Sequence, residues 1–134
     1  MTILDKIVER KKQEVAEAKS KVSLEELTQY PLFERTCYSL KESVLHPDRT
    51  GIIAEYKRAS PSKGVINSHS TVEEVVLGYQ NAGASAISVL TDTDFFQGTL
   101  ADLTQARAVL TIPLLRKEFI VDKYQIAEAK AYGA

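Results

Sequence analysis

Tryptophan is absent from this chain of 134 residues, cysteine and methionine occur once each, and histidine twice. The single cysteine, Cys37, cannot close an intrachain disulfide, so no disulfide framework holds the fold and a reducing, cytoplasmic setting is expected. Cys37 itself reads as a small buried apolar residue. Neither histidine stands at a useful spacing from a second metal-ligand candidate, and no zinc or iron motif results. Asp92 and Asp94 lie close together, but two loop carboxylates without a third ligand read as surface residues. The chain also lacks an excess of either charge sign, its formal net charge being -1. A nucleic-acid or polyanion surface normally shows a basic excess, so no such partner is expected. No apolar run is long enough to span a bilayer, and no membrane partner is expected. Asp5, Lys6, Glu9 and Arg10 stand where a secretory leader would be apolar, so none is expected.

What remains is a chain that is 44% hydrophobic and 26% charged, enough to build a core and cover it with polar groups. Its length fits one ordinary domain or part of a larger one. Helical spacing of Ile3, Ile7, Val8, Val15 and Ala18 predicts a helix from Thr2 to about Lys21, with Lys and Glu on the other face. Ser23-Leu24-Glu25-Glu26 has the capping-box pattern and starts a second short helix. Pro31 closes that region, residues 32–45 read as partly helical, and His46 to Thr50 read as a turn.

From Gly51 the pattern changes. Expected strands cover Ile52–Lys57, Ala86–Thr91 and Ile112–Lys117. Expected helices follow each of them, over Thr71–Gln80, Leu100–Leu110 and Lys123–Tyr132. Thr71 or Ser70 caps the first of these, and Gly83 suits its left-handed end. Alternation of strand and helix at close intervals predicts parallel strands with helical crossovers, an α/β fold. All three strands are apolar on both faces, which suits burial within something larger than a small open sheet. Three βα units are too few to close a barrel, which needs eight.

The segment Glu55-Tyr56-Lys57-Arg58-Ala59-Ser60-Pro61-Ser62-Lys63-Gly64 carries the most information. Side chains of a strand alternate between faces, so Ile53, Glu55 and Lys57 share one face while Ile52, Ala54 and Tyr56 share the other. A carboxylate and an ammonium then point the same way at the carboxyl end of a strand. Burying them costs several kcal/mol unless they are paired or wetted by a site. In parallel sheets that end is where ligands bind. Each residue also has a plainer reading: a lysine at a strand end is by default a solvated charge, and Glu55 an ion-pair partner. Ser60-Pro61-Ser62 is by default a turn with Lys63 at its tip, His69 an exposed loop residue, and Phe96 and Phe119 core aromatics.

These motifs resemble the indole-3-glycerol phosphate synthase family. Ile52 to Gly64 is similar to its first-strand signature, and Ala84 to Phe96 with the Gln97-Gly98 loop to its second strand. Pro113-Leu114-Leu115-Arg116-Lys117-Glu118-Phe119-Ile120-Val121-Asp122 is similar to its third. Helix Ile3 to Val8 resembles the extra helices before its barrel. Glu118 stands where aspartate is common. The resemblance implies a partial TIM (β/α)8 barrel, with residues 1–50 as the extra helices and 51–134 as the first three βα units. A whole barrel takes about 250 residues, so an N-terminal portion, inactive alone, is expected.

The resemblance also implies the chemistry. The family closes a pyrrole ring on an anthranilate-derived ribulose phosphate in tryptophan biosynthesis, releasing carbon dioxide and water. Lys117 corresponds to the general acid and Lys57 to a second active-site ammonium that helps dehydration. Glu55 would hold these ammoniums in place. Ser60 would donate to the anthranilate carboxylate, Arg58 would join it in binding substrate, and Phe96 and Phe119 would wall the aromatic ring. No metal or organic cofactor is implied; the partner is a phosphorylated small molecule. Two rivals stay open: a non-catalytic half-barrel that associates with itself or its other half through open sheet edges, and another phosphate-sugar barrel enzyme such as an isomerase of the same pathway.

Overall fold

The structure is a computed structural model describing residues 1–134. Helix α1 (Ile3–Lys21) starts at a capping box, with the Thr2 hydroxyl accepting from the Asp5 N–H and the Asp5 carboxylate accepting from the Thr2 N–H. Such reciprocal pairing satisfies two amides that the first helical turn leaves free. The buried stripe of α1 is Ile7, Lys11 and Val15, while Ile3 is exposed. A short α2 (Leu24–Leu27) follows with the expected Ser23–Glu26 box. Pro31 opens a 3-10 turn (Pro31–Glu34) instead of closing the region, because its fixed φ suits a first helical position. Helix α3 (Leu40–Leu45) completes the leading helices. Cys37 is exposed, not buried, and its thiol sits beside the Arg35 guanidinium.

Strand β1 (Ile53–Tyr56) leads into a two-stranded antiparallel ribbon, β2 (Ala59–Ser60) with β3 (Gly64–Val65). A plain loop is expected there. The chain turns back because Gly64 adopts φ 64° and the Ser60 hydroxyl accepts from the Lys63 N–H. Helix α4 (Val72–Asn81) starts at a Thr71–Glu74 capping box and ends before Gly83, at φ 106°. Strand β4 (Ala86–Leu90), α5 (Leu100–Val109), β5 (Leu114–Lys117) and α6 (Tyr124–Ala131) complete the chain.

The main sheet has the order β1-β4-β5, all parallel, with Glu55 beside Ser88 and Ser88 beside Leu115. It is an arc of three consecutive βα units, preceded by additional helices. The helix-facing side packs Tyr56, Ile87, Val89 and Leu114 against Val72, Val76, Leu103 and Ala106. Fully burying one such side chain contributes about 1.5–3 kcal/mol. The opposite side carries Ile53, 44% exposed, and Leu115, 37% exposed, so the arc is covered on one face only. A second cluster of Val15, Leu27, Tyr124 and Ala131 docks α1 and α2 on α6. The Tyr124 hydroxyl donates to the Val22 carbonyl at 2.7 Å, and burial pushes its pKa up to about 12.

Candidate active site

Register brings the two lysines together. Tyr56 pairs with Val89, so Lys57 follows on level with Leu90, and Leu90 pairs with Lys117. Paired residues of adjacent strands point to one face of a sheet. Lys57, Leu90 and Lys117 therefore form one row at the carboxyl ends of β1, β4 and β5, on the face away from the helices. A cavity of about 250 Å³ opens over this row, lined by Glu55, Lys57, Leu90, Phe96, Lys117, Glu118 and Phe119.

Glu55 occupies the row below. Its Oε1 accepts from the Ser88 hydroxyl at 3.1 Å and lies 3.8 Å from Lys117 Nζ. With side chains 59% and 36% exposed, the Lys117–Glu55 pair contributes little to stability; it biases where the ammonium rests. Phe96 and Phe119 face one another with ring centroids 6.1 Å apart and planes tilted by 37°. They make an apolar wall beside the charged row.

Five of the seven residues expected at the site line this cavity; Arg58 and Ser60 do not. Strand alternation turns Arg58 to the helix side. There its guanidinium makes a two-pronged contact with the Asp102 carboxylate, donates to the Gln97 carbonyl at 3.1 Å and lies over the Tyr56 ring. Pairing with Asp102 holds the Arg58 guanidinium above its ordinary pKa. Ser60 is buried in the ribbon, where its hydroxyl meets Ser62 and the Lys63 amide.

A buried ionic cluster borders the site that sequence reading did not assemble. Asp92, expected at the surface, is fully buried just after β4. Its Oδ2 accepts from the Phe95 N–H at 2.8 Å, and its Oδ1 lies 2.6 Å from Lys11 Nζ. That second contact is an ion pair between two buried groups. Lys11 also reaches Glu14 at 2.5 Å and Glu118 at 3.1 Å. Burial alone would lower the Lys11 pKa; the carboxylates of Asp92, Glu14 and Glu118 outweigh it and hold the ammonium above the usual lysine range. Asp94 pairs with Arg10 at 2.8 Å, so both loop aspartates are committed to cations of α1. The available signal was positional: Lys11 stands four residues from both Ile7 and Val15, on the apolar stripe of an amphipathic helix.

Parallel strands with helical crossovers, and a polar cavity at their carboxyl ends, define the active-site sector of a βα-barrel enzyme. Which barrel is settled by comparison: residues 4–134 match the family model described as indole-3-glycerol phosphate synthase. The chain belongs to the indole-3-glycerol phosphate synthase family, a family of lyase-type enzymes of tryptophan biosynthesis.

Proposed function

We propose that this chain carries the first three strands' share of an indole-3-glycerol phosphate synthase active site. Lys117 is the general acid, Lys57 the second ammonium and Glu55 the carboxylate that orients them. The substrate is the carboxyphenylamino-deoxyribulose phosphate of the family reaction. Its ring carbon bearing the carboxylate attacks the ketone carbon, and Lys117 gives a proton to the ketone oxygen as the bond forms. Loss of carbon dioxide restores the aromatic ring. The new hydroxyl then leaves as water, the step Lys57 assists, while Phe96 and Phe119 hold the aryl group. This chemistry draws on proton transfer and charge stabilisation by side chains.

The placement of Lys57 and Lys117 in one row over one cavity, flanked by two aromatic rings, carries this reading. Neither Arg58 nor Ser60 faces that cavity, so their part is to fix the strand-to-ribbon turn after Lys57. Replacing Lys117 by Met in a barrel containing this segment tests the assignment. Ring closure lost with folding intact is the expected result; normal turnover removes Lys117 from the mechanism.

The only cations lining the cavity, Lys57 and Lys117, are assigned to the reacting end of the substrate, and the inner sheet face is open. Affinity for the phosphate then has to come from other groups, and turnover by these residues alone is expected to be negligible. A steady-state rate comparable to a closed barrel would refute that. A second reading is a half-barrel that associates with itself or with complementary strands. It is favoured by β1 and β5 standing at the edges of the sheet and by exposed Ile53 and Leu115. Light scattering after size exclusion decides it, a monomer at micromolar concentration counting against self-association.

A further inference from the structure

From the contacts of its ammonium we infer that Lys11, on the first helix, is a positioning residue for ring closure. It joins Asp92 to Glu118 and thereby fixes the distance between the Phe96 and Phe119 rings. The inference rests on the proposed function for its kinetic consequence, but its geometry stands on its own.

Asp92 and Glu118 each do two things. One Asp92 oxygen accepts from the Phe95 N–H at 2.8 Å, setting the turn that presents Phe96, while the other faces Lys11 Nζ at 2.6 Å. Glu118 Oε1 accepts from the Phe119 N–H at 2.8 Å and faces Lys11 Nζ at 3.1 Å. The other Glu118 oxygen accepts from the Thr91 hydroxyl at 3.0 Å, and Thr91 directly precedes Asp92. Each aromatic loop is thus gripped at a backbone amide by a carboxylate, and one ammonium clamps the two carboxylates together. Without it, two negative groups with side chains 0% and 2% exposed would face each other, with the Glu14 carboxylate beside them and Arg116, 3.8 Å from Glu118, as the other cation paired to them. Like charges in a poorly hydrated space separate, and the loops they hold would separate with them.

An anchor for α1 alone would need no such placement. An apolar residue between Ile7 and Val15 would dock the helix without the expense of burying an ammonium. What the ammonium adds is a link between the segments after β4 and β5, which carry the two faces of the aryl slot.

The test compares wild-type protein with Lys11→Met and Lys11→Arg by nuclear Overhauser contacts between the Phe96 and Phe119 rings. Contacts of Tyr124 to α1 report whether the helix stays docked. Wild type and Lys11→Arg should show the inter-ring contact, and Lys11→Met should lose it while Tyr124 keeps its contacts. An inter-ring contact of wild-type strength in Lys11→Met overturns the inference. Should Lys11→Met fail to fold, Lys11→Gln, which also removes the positive charge but keeps a polar end, replaces it with the same expected loss and the same overturning result. In a barrel supplied with its remaining strands, Lys11→Met should lower kcat/KM by about tenfold or more through a misplaced aryl ring. Lys11→Arg should recover most of that, and an unchanged kcat/KM in Lys11→Met would overturn the inference. Full turnover by Lys117→Met would instead defeat the lysine assignment, leaving the ring contacts to decide the role of Lys11.

Discussion

Replacing Gly98 by alanine should destabilise this protein more than any other single added methyl group among its glycines. A Cβ built at Gly98 would stand 2.1 Å from the Leu90 carbonyl oxygen, 2.8 Å from its carbon and 3.0 Å from Thr91 Cα. Every one of these is backbone, so no side chain can swing aside. Non-bonded heavy atoms need about 3.5 Å, so the loop and the end of β4 must part by roughly 1 Å. Two hydrogen bonds lie in the way of that movement: Gly98 N–H to the Asp92 carbonyl at 2.8 Å, and Thr93 hydroxyl to the Gly98 carbonyl at 2.9 Å. Overpacking costs about 1–3 kcal/mol, and each lost hydrogen bond about 1 kcal/mol. The sum is about 3–5 kcal/mol, a large share of the roughly 5–15 kcal/mol that holds a domain folded.

Gly78 is the internal control. It lies on an exposed turn of α4 with nothing within 4 Å of the added methyl. Alanine there should stabilise by about 0.5–1 kcal/mol, because glycine loses more backbone entropy in a helix. Urea denaturation followed by circular dichroism reads both: with a slope of about 1–3 kcal/mol per molar, the midpoint should fall by about 1 M or more for Gly98→Ala and rise slightly for Gly78→Ala. A Gly98→Ala midpoint at or above wild type would refute the reasoning, since it would mean the loop after β4 does not press on the strand.

Arg58→Ala should cost about 2 kcal/mol in the same assay, because it leaves the nearly buried Asp102 carboxylate without its guanidinium and frees the Gln97 carbonyl. Arg58→Lys should not restore that, since a single ammonium cannot reproduce the two-pronged contact. Stability should also fall in alkali: Lys11 and Tyr124 both hold their protons more tightly folded than unfolded. Their contribution is therefore complete below about pH 10 and fades as pH rises through the folded values, about 12 for Tyr124. Thermal melts across that range check it, and Tyr124→Phe should both lower stability by about 1 kcal/mol at neutral pH and flatten the alkaline slope.

The elements were legible where a local rule sufficed. The Ser23 and Thr71 caps, the order of strands and helices, and the shared face of Glu55 and Lys57 all follow from short-range patterns. Strand ends were read one or two residues too long: apolar Ile52 and Ile112-Pro113 precede the ladder, and Lys57 and Thr91 lie just past its end. The burial of Lys11 and Asp92 was not legible, although Lys11 stood on an apolar stripe. A charged residue looks the same in sequence whether water or a distant partner solvates it, and here the partners come from α1, the loop after β4 and the end of β5. The side on which Arg58 lies was missed for a related reason. Its neighbours in the motif suggested substrate, whereas strand alternation alone sends it away from the face that Lys57 occupies.

That alternation also explains how the cavity keeps its shape. Each cavity lysine is followed by a charged residue paired outside the lysine row: Arg58 after Lys57 turns away from the cavity to Asp102, and Glu118 after Lys117 lies at the cavity's edge against Lys11. Arg58 grips Gln97 and Asp102, at the far end of the segment after β4. Glu118, with Lys11, grips Thr91 and Asp92 at its near end. Both outer strands are therefore pinned to the loop of the central strand by the residue next to the lysine they present. A lysine on a long flexible stem cannot be aimed by its own packing, least of all when 59% of the Lys117 side chain is exposed. Its Cα can be fixed, and an ion pair one residue away does that without taking the lysine's place in the row. A slip of one residue would exchange the two members of each pair, putting arginine and glutamate in the lysine row and both lysines on the helix side; the adjacent charges thus specify register as well as position.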